Sequence, residues 1–492
     1  MKIKRIMLIR PGIRFPRKRF AQPLGLLYLV SVLRQNFPGQ FEIDLVEQAL
    51  YKLDFKQIKE RIKKFNPDLV GFSCLSQEAD EMAKISHIVK ELKPECLTVL
   101  GGPHASVFYD CVLEKNNIDI VVIGEGERTF PELLKKLLSG EPIEQVRGIA
   151  FKRKDRIILT PPQKPIEDLD SLPFPAWDLI DFQDYSWMIS TNAYCHSVPW
   201  AVIFTSRGCP YQCAYCHNIF GKRTRFRSPE NVISEIELLV NKYGVKEIHI
   251  VDDVFNLDIL RAKKICDLII ERKIKIKIAF PNGLRGDIMD KELIGKLKQA
   301  GCYAIGYAVE TASPRLQKLI NKNLDFDKIR QVISWTADEK IITQGYFMLG
   351  FPGETREEME MTINYALKSR FLIAFFSLVA VYPRTHLMEI AKKAYPDFDF
   401  DKWNDKLDMA NFHYFTEEPF YKKATGLDSF KIQHSAHRRF YFRPRQIFLI
   451  LLRFPKNFFL IRGIWWVLRN SFISLYKFEK SVFYSHKMKH ET

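Results

Sequence analysis

Short apolar runs alternate with amphipathic stretches over the first 140 residues of the chain. The runs 6–9, 41–46 and 69–73 have the length of buried strands, and the stretch 55–65 places its apolar side chains at helical spacing. Strands that alternate with helices are joined by crossovers, so the strands lie parallel. The pattern predicts an α/β fold with a doubly wound, Rossmann-like parallel sheet in a domain covering residues 1–140.

The alternation returns after residue 196, where each apolar run ends in a group of polar residues. The predicted strands cover residues 201–205, 247–251, 276–280, 303–309, 343–349 and 373–379. Six strand–helix units predict a partial (β/α)6 barrel over residues 196–403, with its functional side chains at the carboxyl ends of the strands. The Pro-rich stretch 141–195 is expected to be a connector that includes a small hairpin, and residues 404–492 a helical C-terminal region.

The composition is that of a globular protein, and it excludes several other classes of protein. The 492 residues are 47% hydrophobic and 27% charged, which excludes a disordered or collagen-like chain. Nine cysteines are too few and too clustered for a disulfide scaffold, and they indicate metal or redox chemistry in a reducing compartment. We find no signal peptide and no uncharged apolar run of the about 18–20 residues that span a bilayer, so we expect a cytoplasmic protein.

Three cysteines carry the strongest chemical signal in the chain. Cys209, Cys213 and Cys216 form a CxxxCxxC loop directly after the predicted strand 201–205. Thiolates are soft ligands that suit iron–sulfur clusters or zinc. A structural zinc site closes with four ligands, for which His217 is the candidate, whereas an electron-carrier cluster takes four cysteines. Three cysteines in one loop instead predict a four-iron cluster with one iron open to another ligand.

The CxxxCxxC loop after a first barrel strand resembles that of the radical S-adenosylmethionine (SAM) superfamily, and the resemblance covers residues 196–400. It implies that the three cysteines form the catalytic centre by holding a [4Fe-4S] cluster, and that the open iron binds SAM. In that family, one electron from an external flavodoxin-type or ferredoxin-type donor cleaves SAM to methionine and a 5′-deoxyadenosyl radical. Tyr215, directly before the third cysteine, matches the aromatic residue that packs beside the adenine.

Four polar residues at the ends of later predicted strands match positions that contact SAM in the family. They are Asp252, Asn282, Arg285 and Glu310. The resemblance implies that these four residues bind SAM, whereas strand-end caps or ion pairs are the alternative roles of residues in such places.

The N-terminal domain carries glycines at the ends of its later strands. They lie in Gly101-Gly102-Pro103-His104 and in Gly124-Glu125-Gly126-Glu127, and Ser73 ends an earlier strand. Glycine lets the backbone approach a large ligand closely, although turn glycines also occur without a ligand. A domain of this kind before a radical SAM barrel resembles the cobalamin-binding members of the superfamily. The resemblance implies a cobalamin contact for Ser73, Gly101, Gly102, Gly124, Glu125 and Gly126.

One departure from that subfamily concerns the cobalt ligand. Many cobalamin domains carry DxHxxG after an early strand, with a histidine that ligates cobalt. Here the second predicted strand is followed by Glu47-Gln48-Ala49-Leu50-Tyr51, which contains no histidine. We therefore expect cobalamin to bind base-off and without a histidine ligand, and we interpret His104 as a hydrogen-bonded loop residue rather than a ligand.

The group that this resemblance singles out includes the anaerobic magnesium-protoporphyrin monomethyl ester cyclase and the class B radical SAM methyltransferases. The resemblance to this group implies an enzyme that methylates an unactivated carbon of a small-molecule or lipid-like substrate. Radical cyclisation or rearrangement, or modification of a lipid or tetrapyrrole, is the alternative reaction. A non-enzymatic iron–sulfur or cobalamin sensor is the alternative class, which the polar strand ends of the barrel disfavour.

The positive charge of the chain is concentrated at its C-terminal end. Residues 431–492 hold thirteen basic and two acidic residues in a chain of net charge +17. Aromatic and basic residues interleave there, which predicts an amphipathic helix in peripheral contact with the inner face of a membrane, or a helical cap over the barrel. RNA binding ranks below both because no RNA-binding module is recognisable, so we expect no nucleic-acid partner.

Overall fold

The computed structural model describes residues 2–12, 21–186, 195–217, 219–400, 420–454, 461 and 464–465. These residues divide into two compact units. The first, which we call the N-terminal unit, lies within residues 1–189 and 218–227. The second, which we call the barrel unit, lies within residues 190–217, 228–401 and 413–492.

Seven strands form the sheet of the N-terminal unit. They are β1 (Arg5–Arg10), β2 (Glu42–Glu47), β3 (Leu69–Ser73), β4 (Leu97–Gly101), β5 (Ile120–Val122), β6 (Ile149–Arg153) and β7 (Arg156–Leu159). The helices are α1 (Leu24–Asn36), α2 (Gln48–Tyr51), α3 (Phe55–Phe65), α4 (Ala79–Leu92), α5 (Pro103–Lys115), α6 (Gly126–Ser139) and α7 (Phe182–Ser186). The strand order is β2-β1-β3-β4-β5-β6-β7, and the first five strands are parallel.

Helices cover both faces of this sheet, because alternate side chains of a strand point to opposite faces. Ile6 and Leu8 of β1 belong to the apolar cluster that α1 and α6 complete. Met7 and Ile9 of the same strand belong to the cluster that α3, α4 and α5 complete. The strand order reverses between β1 and β3, and the carboxyl ends at such a reversal are where doubly wound sheets bind ligands. The predicted Rossmann-like sheet is therefore confirmed.

The hairpin predicted within the connector joins the same sheet. β6 pairs antiparallel with β5, and β7 pairs antiparallel with β6. The sheet thus continues to Leu159, which lies beyond the domain end expected at residue 140.

Six parallel strands form the sheet of the barrel unit, and their spatial order is their order in the chain. They are β8 (Trp200–Ile203), β11 (Glu247–Ile250), β12 (Lys277–Leu284), β13 (Cys302–Glu310), β14 (Ile342–Leu349) and β15 (Ile373–Leu378), while β9 (Ser206–Arg207) and β10 (Arg225–Phe226) are two-residue strands between them in the chain. The helices are α8 (Pro229–Tyr243), α9 (Ile259–Glu271), α10 (Lys291–Gln299), α11 (Pro314–Leu319), α12 (Phe326–Asp338), α13 (Arg356–Lys368) and α14 (His386–Ala394). This topology is that of the predicted partial (β/α)6 barrel.

Helices follow the barrel strands in the C-terminal region, and the helix Ser429–Tyr441 covers the outer edge of β15. These helices are Phe420–Thr425, Ser429–Tyr441 and Pro444–Arg453. The Tyr441 hydroxyl accepts a hydrogen bond from the Ala374 N–H at 3.1 Å and donates one to the Ala374 carbonyl at 2.9 Å. Gln433 Nε2 donates to the Phe376 carbonyl at 2.7 Å. The predicted helical C-terminal region is confirmed over these residues, and its positions 455–460, 462–463 and 466–492 lie outside the described residues.

Candidate functional site

The cysteine loop follows β8 in the barrel unit. Cys209 and Cys213 are partly buried and Cys216 is exposed, and all nine cysteines of the chain lie within the described residues without forming a disulfide. The loop is tied to the barrel on two sides, because the Ala214 N–H donates to the Ile320 carbonyl at 2.9 Å and the Leu387 N–H donates to the Ala214 carbonyl at 2.8 Å. The three thiols are therefore carried on an anchored backbone.

Asp252 and Asp253, directly after β11, hold the start of this loop. The buried Asp252 carboxylate accepts from the Thr205 N–H at 2.6 Å, the Thr205 hydroxyl at 2.5 Å and the Ser206 hydroxyl at 2.7 Å. Asp253 Oδ2 accepts from the Gly208 N–H at 3.2 Å. Burial raises the pKa of Asp252, while the positive charge of Arg261 and the Thr205 and Ser206 donors oppose that rise. These bonds give Asp252 a loop-anchoring role beside the SAM contact that the resemblance implies.

Tyr215 and Glu310 meet at the end of β13. The Tyr215 hydroxyl donates to Glu310 Oε1 at 3.0 Å, and Lys322 Nζ lies 3.0 Å from the same oxygen and 3.1 Å from the phenol oxygen. Burial, followed by the negative charge of Glu310, raises the pKa of Tyr215, so the phenol keeps its proton and donates. Glu310 adopts a left-handed backbone with φ of +64°, a strain that persists in proteins where surrounding contacts impose it.

Arg285 reaches the cysteine loop through an aromatic contact. Its guanidinium carbon lies 3.7 Å from the centre of the Tyr211 ring, and its Nε and Nη2 donate to the Asp287 carboxylate at 2.9 Å. Stacking of this kind fixes a planar guanidinium. Asn282 Nδ2 donates to the Val251 carbonyl at 2.6 Å, at the end of the neighbouring strand.

The structure thus links three of the four predicted strand-end residues to the cysteine loop and places the fourth, Asn282, on the adjacent strand end. It also adds positioning residues that the sequence did not single out. They are Thr205, Ser206, Tyr211, Asp253 and Lys322. Two consecutive aspartates at a strand end are a sequence pattern from which Asp253 could have been predicted. Lys322 lies in a turn between two helices, and no sequence pattern marks it.

The donor set of the loop fits a [4Fe-4S] cluster with one open iron. One loop carries three soft thiols, and Cys266 and Cys302 of the same unit are buried elsewhere, in α9 and β13. The zinc alternative required His217 as a fourth ligand. His217 Nε2 instead lies at hydrogen-bond distance, 3.0 Å, from the Pro383 carbonyl oxygen.

The N-terminal unit gathers its candidate cobalamin residues at the carboxyl ends of β3, β4 and β5. Ser73 and Gly101 are register partners on β3 and β4. Gly102 has φ of +89°, and a Cβ there would lie 2.9 Å from Ser73 Oγ and 3.3 Å from the Cys74 backbone. Gly124 has φ of +81° with open space around its missing Cβ. Gly102 thus lets its backbone pass close to Ser73 and Cys74, and Gly124 leaves backbone surface open to a flat, bulky ligand, which fits cobalamin.

Glu125 and Gly126 have contacts inside the N-terminal unit. The buried Glu125 carboxylate pairs with Arg225 Nη1 at 2.7 Å and accepts from the Ile166 N–H at 2.8 Å. A Cβ on Gly126 would lie 3.2 Å from Leu29 of α1, so this glycine allows α6 to pack closely on α1. Both residues therefore stabilise the packing of the N-terminal unit, independently of any contact with a ligand.

Glu47 ends β2 in an ion pair, and helix α2, which follows it directly, contains no histidine. Arg10 lies 3.8 Å from Glu47, and Gln48 Oε1 accepts from the Gly12 N–H at 2.9 Å. His104 is buried with its Nδ1 3.1 Å from Ser76 Oγ, and burial lowers the pKa of His104 to about 4, so the ring is neutral. His104 is thus hydrogen-bonded, as the sequence indicates, but it lies in the first turn of α5 rather than in a loop.

Two family models match the chain: the radical SAM superfamily over residues 203–366 and the B12 binding domain over residues 14–134. A methyltransferase of Pyrococcus horikoshii, itself uncharacterised, is 31% identical and aligns with 90% of this chain and 94% of its own length. The cytidylyl-2-hydroxyethylphosphonate methyltransferase of Streptomyces wedmorensis is 28% identical over 80% of this chain and 83% of its own length.

A cyclase and a solved structure complete the comparison. The anaerobic magnesium-protoporphyrin IX monomethyl ester cyclase of Rubrivivax gelatinosus is 26% identical over 81% of this chain and 72% of its own length. The structure of the radical SAM methyltransferase TsrM from Kitasatospora setae superposes with a TM-score of 0.67 at 20% identity, covering 79% of this chain and 76% of TsrM. That likeness shows a shared fold.

A three-cysteine loop on a parallel barrel and a glycine-lined doubly wound sheet define a class of enzymes that use an iron–sulfur cluster, SAM and cobalamin. The chain belongs to this family, the cobalamin-binding radical SAM enzymes. It is therefore an enzyme, and the sensor alternative is not supported.

Proposed function

We propose that this enzyme methylates an unactivated carbon of a small-molecule or lipid-like substrate. The observation that carries the proposal is similarity along nearly the whole chain to a protein named as a methyltransferase, of which 94% is aligned. A second relative named as a methyltransferase aligns over 83% of its length. The aligned region therefore includes both the cobalamin-binding domain and the radical SAM barrel, not the barrel alone.

When bound, the cluster supplies the electron that cleaves SAM, and cobalamin carries the methyl group. The residues of this chain position the reactants. Asp252 and Asp253 fix the start of the cysteine loop, and the Glu310–Lys322 pair fixes the Tyr215 phenol. The exposed Cys216 end of the loop supports reduction by an external flavodoxin-type or ferredoxin-type donor in the cytoplasm.

A substrate-free assay tests the methyl-transfer half of this proposal. The reconstituted, cobalamin-loaded chain is reduced anaerobically and given SAM. A methyltransferase must first take a methyl group from SAM, so we expect release of about one S-adenosylhomocysteine per bound cobalamin in the first turnover. Release of 5′-deoxyadenosine with no S-adenosylhomocysteine would contradict methyl transfer.

Radical cyclisation is the second candidate, because the cyclase of Rubrivivax gelatinosus aligns over 81% of this chain. Magnesium-protoporphyrin IX monomethyl ester is the probe for that reaction. Its anaerobic conversion to a product without an added methyl group would favour the cyclase, whereas no conversion in the presence of SAM cleavage would exclude this substrate.

We also propose that the helix Pro444–Arg453 contacts an anionic membrane surface. One side of the helix packs inward, since Gln446 Nε2 donates to the Leu372 carbonyl at 2.6 Å. The other side exposes 44–64% of four large apolar residues, Ile447, Phe448, Leu451 and Leu452. Apolar residues beside a cluster of basic ones are typical of helices at anionic interfaces. Among the described residues, no helix has the length and hydropathy needed to cross a bilayer.

Paired substitutions on this helix test the membrane contact. Phe448→Ser with Leu452→Ser should reduce sedimentation with phosphatidylserine vesicles at least about 10-fold, because two interfacial side chains are lost. Leu260→Ser is the matched control, since Leu260 is 78% exposed on α9. Equal sedimentation of all three proteins would favour the helical cap. Substitution is preferable to deletion of residues 440–492, which would also remove the buried Phe440 and Tyr441.

A further inference from the structure

A second group of metal-ligating side chains lies at the opposite ends of the barrel strands from the cysteine loop. Glu247 begins β11 and His249 follows two residues later, and Cys195 precedes β8. All three side chains are fully buried, and one ligand atom of each lies within 4.8 Å of the other two. This cluster has no part in the chemistry described above.

The strand geometry explains why these side chains converge. Residues two apart in a strand point to the same face, so Glu247 and His249 project together while Ile248 projects to the other face. β8 is the parallel neighbour of β11, with Trp200 as the register partner of Glu247. The segment that enters β8 therefore brings Cys195 to the same end of the sheet.

The surrounding residues hold the Glu247 carboxylate in place. The Ser197 N–H donates to Glu247 Oε2 at 2.6 Å, and the Tyr303 hydroxyl donates to Glu247 Oε1. The Trp200 ring stacks on His249 with centres 5.0 Å apart. Metal-binding carboxylates and imidazoles are commonly oriented by such outer contacts.

The charge balance of the cluster favours a bound cation. Buried carboxylates are normally paired with a positive charge or coordinate a metal. Among the described residues, His249 Nε2 lies in ion-pair range of Glu247, at 2.7 Å, and His196 interacts with the same carboxylate electrostatically. Each histidine carries a positive charge only when it is protonated. A divalent ion would neutralise the carboxylate together with the thiolate of Cys195.

We propose that Cys195, Glu247 and His249 bind one structural zinc ion. Sulfur, nitrogen and carboxylate oxygen are the ligand types that zinc prefers. Ligand atoms around tetrahedral zinc lie about 3.3–3.7 Å apart, a spacing that small side-chain movements within this cluster would reach. The thiol releases its proton on binding, and a water molecule would supply the fourth ligand. The ion would fasten the entry segment of β8 to β11.

Metal analysis of the full, tag-free chain tests the site. The variant Cys209→Ala/Cys213→Ala/Cys216→Ala, which cannot hold the cluster, should still purify with about one zinc ion per chain from zinc-supplemented medium. Zinc X-ray absorption should show one sulfur at about 2.3 Å together with nitrogen or oxygen ligands at about 2.0 Å. Substoichiometric zinc in both this variant and the wild type would overturn the proposal, and so would a sulfur-free spectrum.

Two further variants separate binding from folding. Adding Cys195→Ala to the cluster-free chain should lower its zinc content at least about 10-fold, because one ligand is lost. Cys266→Ala in the same background removes a buried thiol from α9 and should leave the zinc content unchanged. Equal zinc loss in both variants would contradict the assignment, and the absorption spectrum of the parent chain decides the question if Cys195→Ala fails to fold.

Discussion

At the scale of single residues, the cysteine loop is held by hydrogen bonds from the end of the next barrel strand. Asp252 accepts three of them and Asp253 one, all before the first candidate ligand, Cys209. None of these four hydrogen bonds involves a thiol. Removing one thiol should therefore abolish cluster assembly while leaving the fold of the loop and the N-terminal unit unchanged.

Cys213→Ala should reduce SAM cleavage to background and leave cobalamin binding intact. Two thiols cannot hold the four-iron cluster, whereas the glycine-lined sheet edge belongs to the N-terminal unit. Iron and sulfide content, 5′-deoxyadenosine release and cobalamin absorbance check this. Cys266→Ala serves as the control, and retained cleavage by the reconstituted Cys213 variant would refute the cluster assignment.

Gly102→Ala should weaken cobalamin binding at least about 10-fold and destabilise the fold by about 1–3 kcal/mol. Its backbone φ of +89° disfavours a side chain, and the new Cβ would press against Ser73 Oγ at 2.9 Å. Gly25→Ala is the control, because its Cβ would meet nothing within 4 Å. Cobalamin titration and chemical unfolding measure the two effects. A loss of stability with unchanged affinity for cobalamin would show that Gly102 is needed only for the backbone turn.

At the scale of secondary-structure elements, the start of α13 is stabilised by a charged cap. Thr355 and Glu358 form a reciprocal capping box, and Glu358 also accepts from Ser313 at 2.6 Å and from Arg315 Nη2 at 2.6 Å. Burial alone would raise the pKa of Glu358, but the Arg315 and Ser313 hydrogen bonds lower it to about 2. The helix start is thus linked to the end of β13 by one carboxylate.

The lowered pKa of Glu358 predicts a specific acid dependence. Its folded-state pKa lies below its unfolded value, so its stabilisation is present above about pH 5 and is lost as the pH falls towards about 2. Glu358→Gln should lower the free energy of unfolding by about 1–3 kcal/mol at neutral pH and flatten its decline below about pH 5. Urea unfolding across this range checks the slope, with the exposed Glu339→Gln as control. Parallel slopes for wild type and Glu358→Gln would contradict the assignment.

The secondary-structure elements were more predictable from the sequence than the side-chain contacts that join them. Hydrophobic periodicity is local, and it predicted the parallel strands of the N-terminal unit and all six barrel strands, but not that the hairpin β6–β7 joins the first sheet. The CxxxCxxC spacing is equally local. The Asp252–Thr205 bond joins residues 47 apart, and the Lys322–Glu310 pair joins a turn to a strand end. Such partners are set by tertiary packing, which leaves no spacing pattern in one sequence.

At the scale of the whole molecule, each unit holds its own set of candidate ligand contacts. The cysteine loop, Tyr215 and Glu310 lie in the barrel unit, and the glycines after β4 and β5 lie in the N-terminal unit. The segment Gln48–Tyr51 after β2 contains no histidine, and this bears on whether the N-terminal unit supplies a nitrogen ligand to the cobalt of cobalamin.

The holoenzyme should therefore contain base-off cobalamin without a nitrogen ligand from the protein. The Co(II) electron paramagnetic resonance spectrum should lack nitrogen splitting, because the segment after β2 contains no histidine that could ligate cobalt. Free base-on cobalamin is the reference. Nitrogen splitting that disappears in His104→Gln would instead identify His104 as the cobalt ligand.

The closure of β15 by Tyr441 has a consequence for shortened forms of this chain. The Ala374 N–H and carbonyl are satisfied by one phenol from the C-terminal helix Ser429–Tyr441 rather than by a further strand. A chain that ends before residue 429 would present β15 as an open edge, and open edges recruit strands from other molecules. Premature termination should therefore cause self-association and inclusion-body formation, even when every cysteine and every strand of both units is still present.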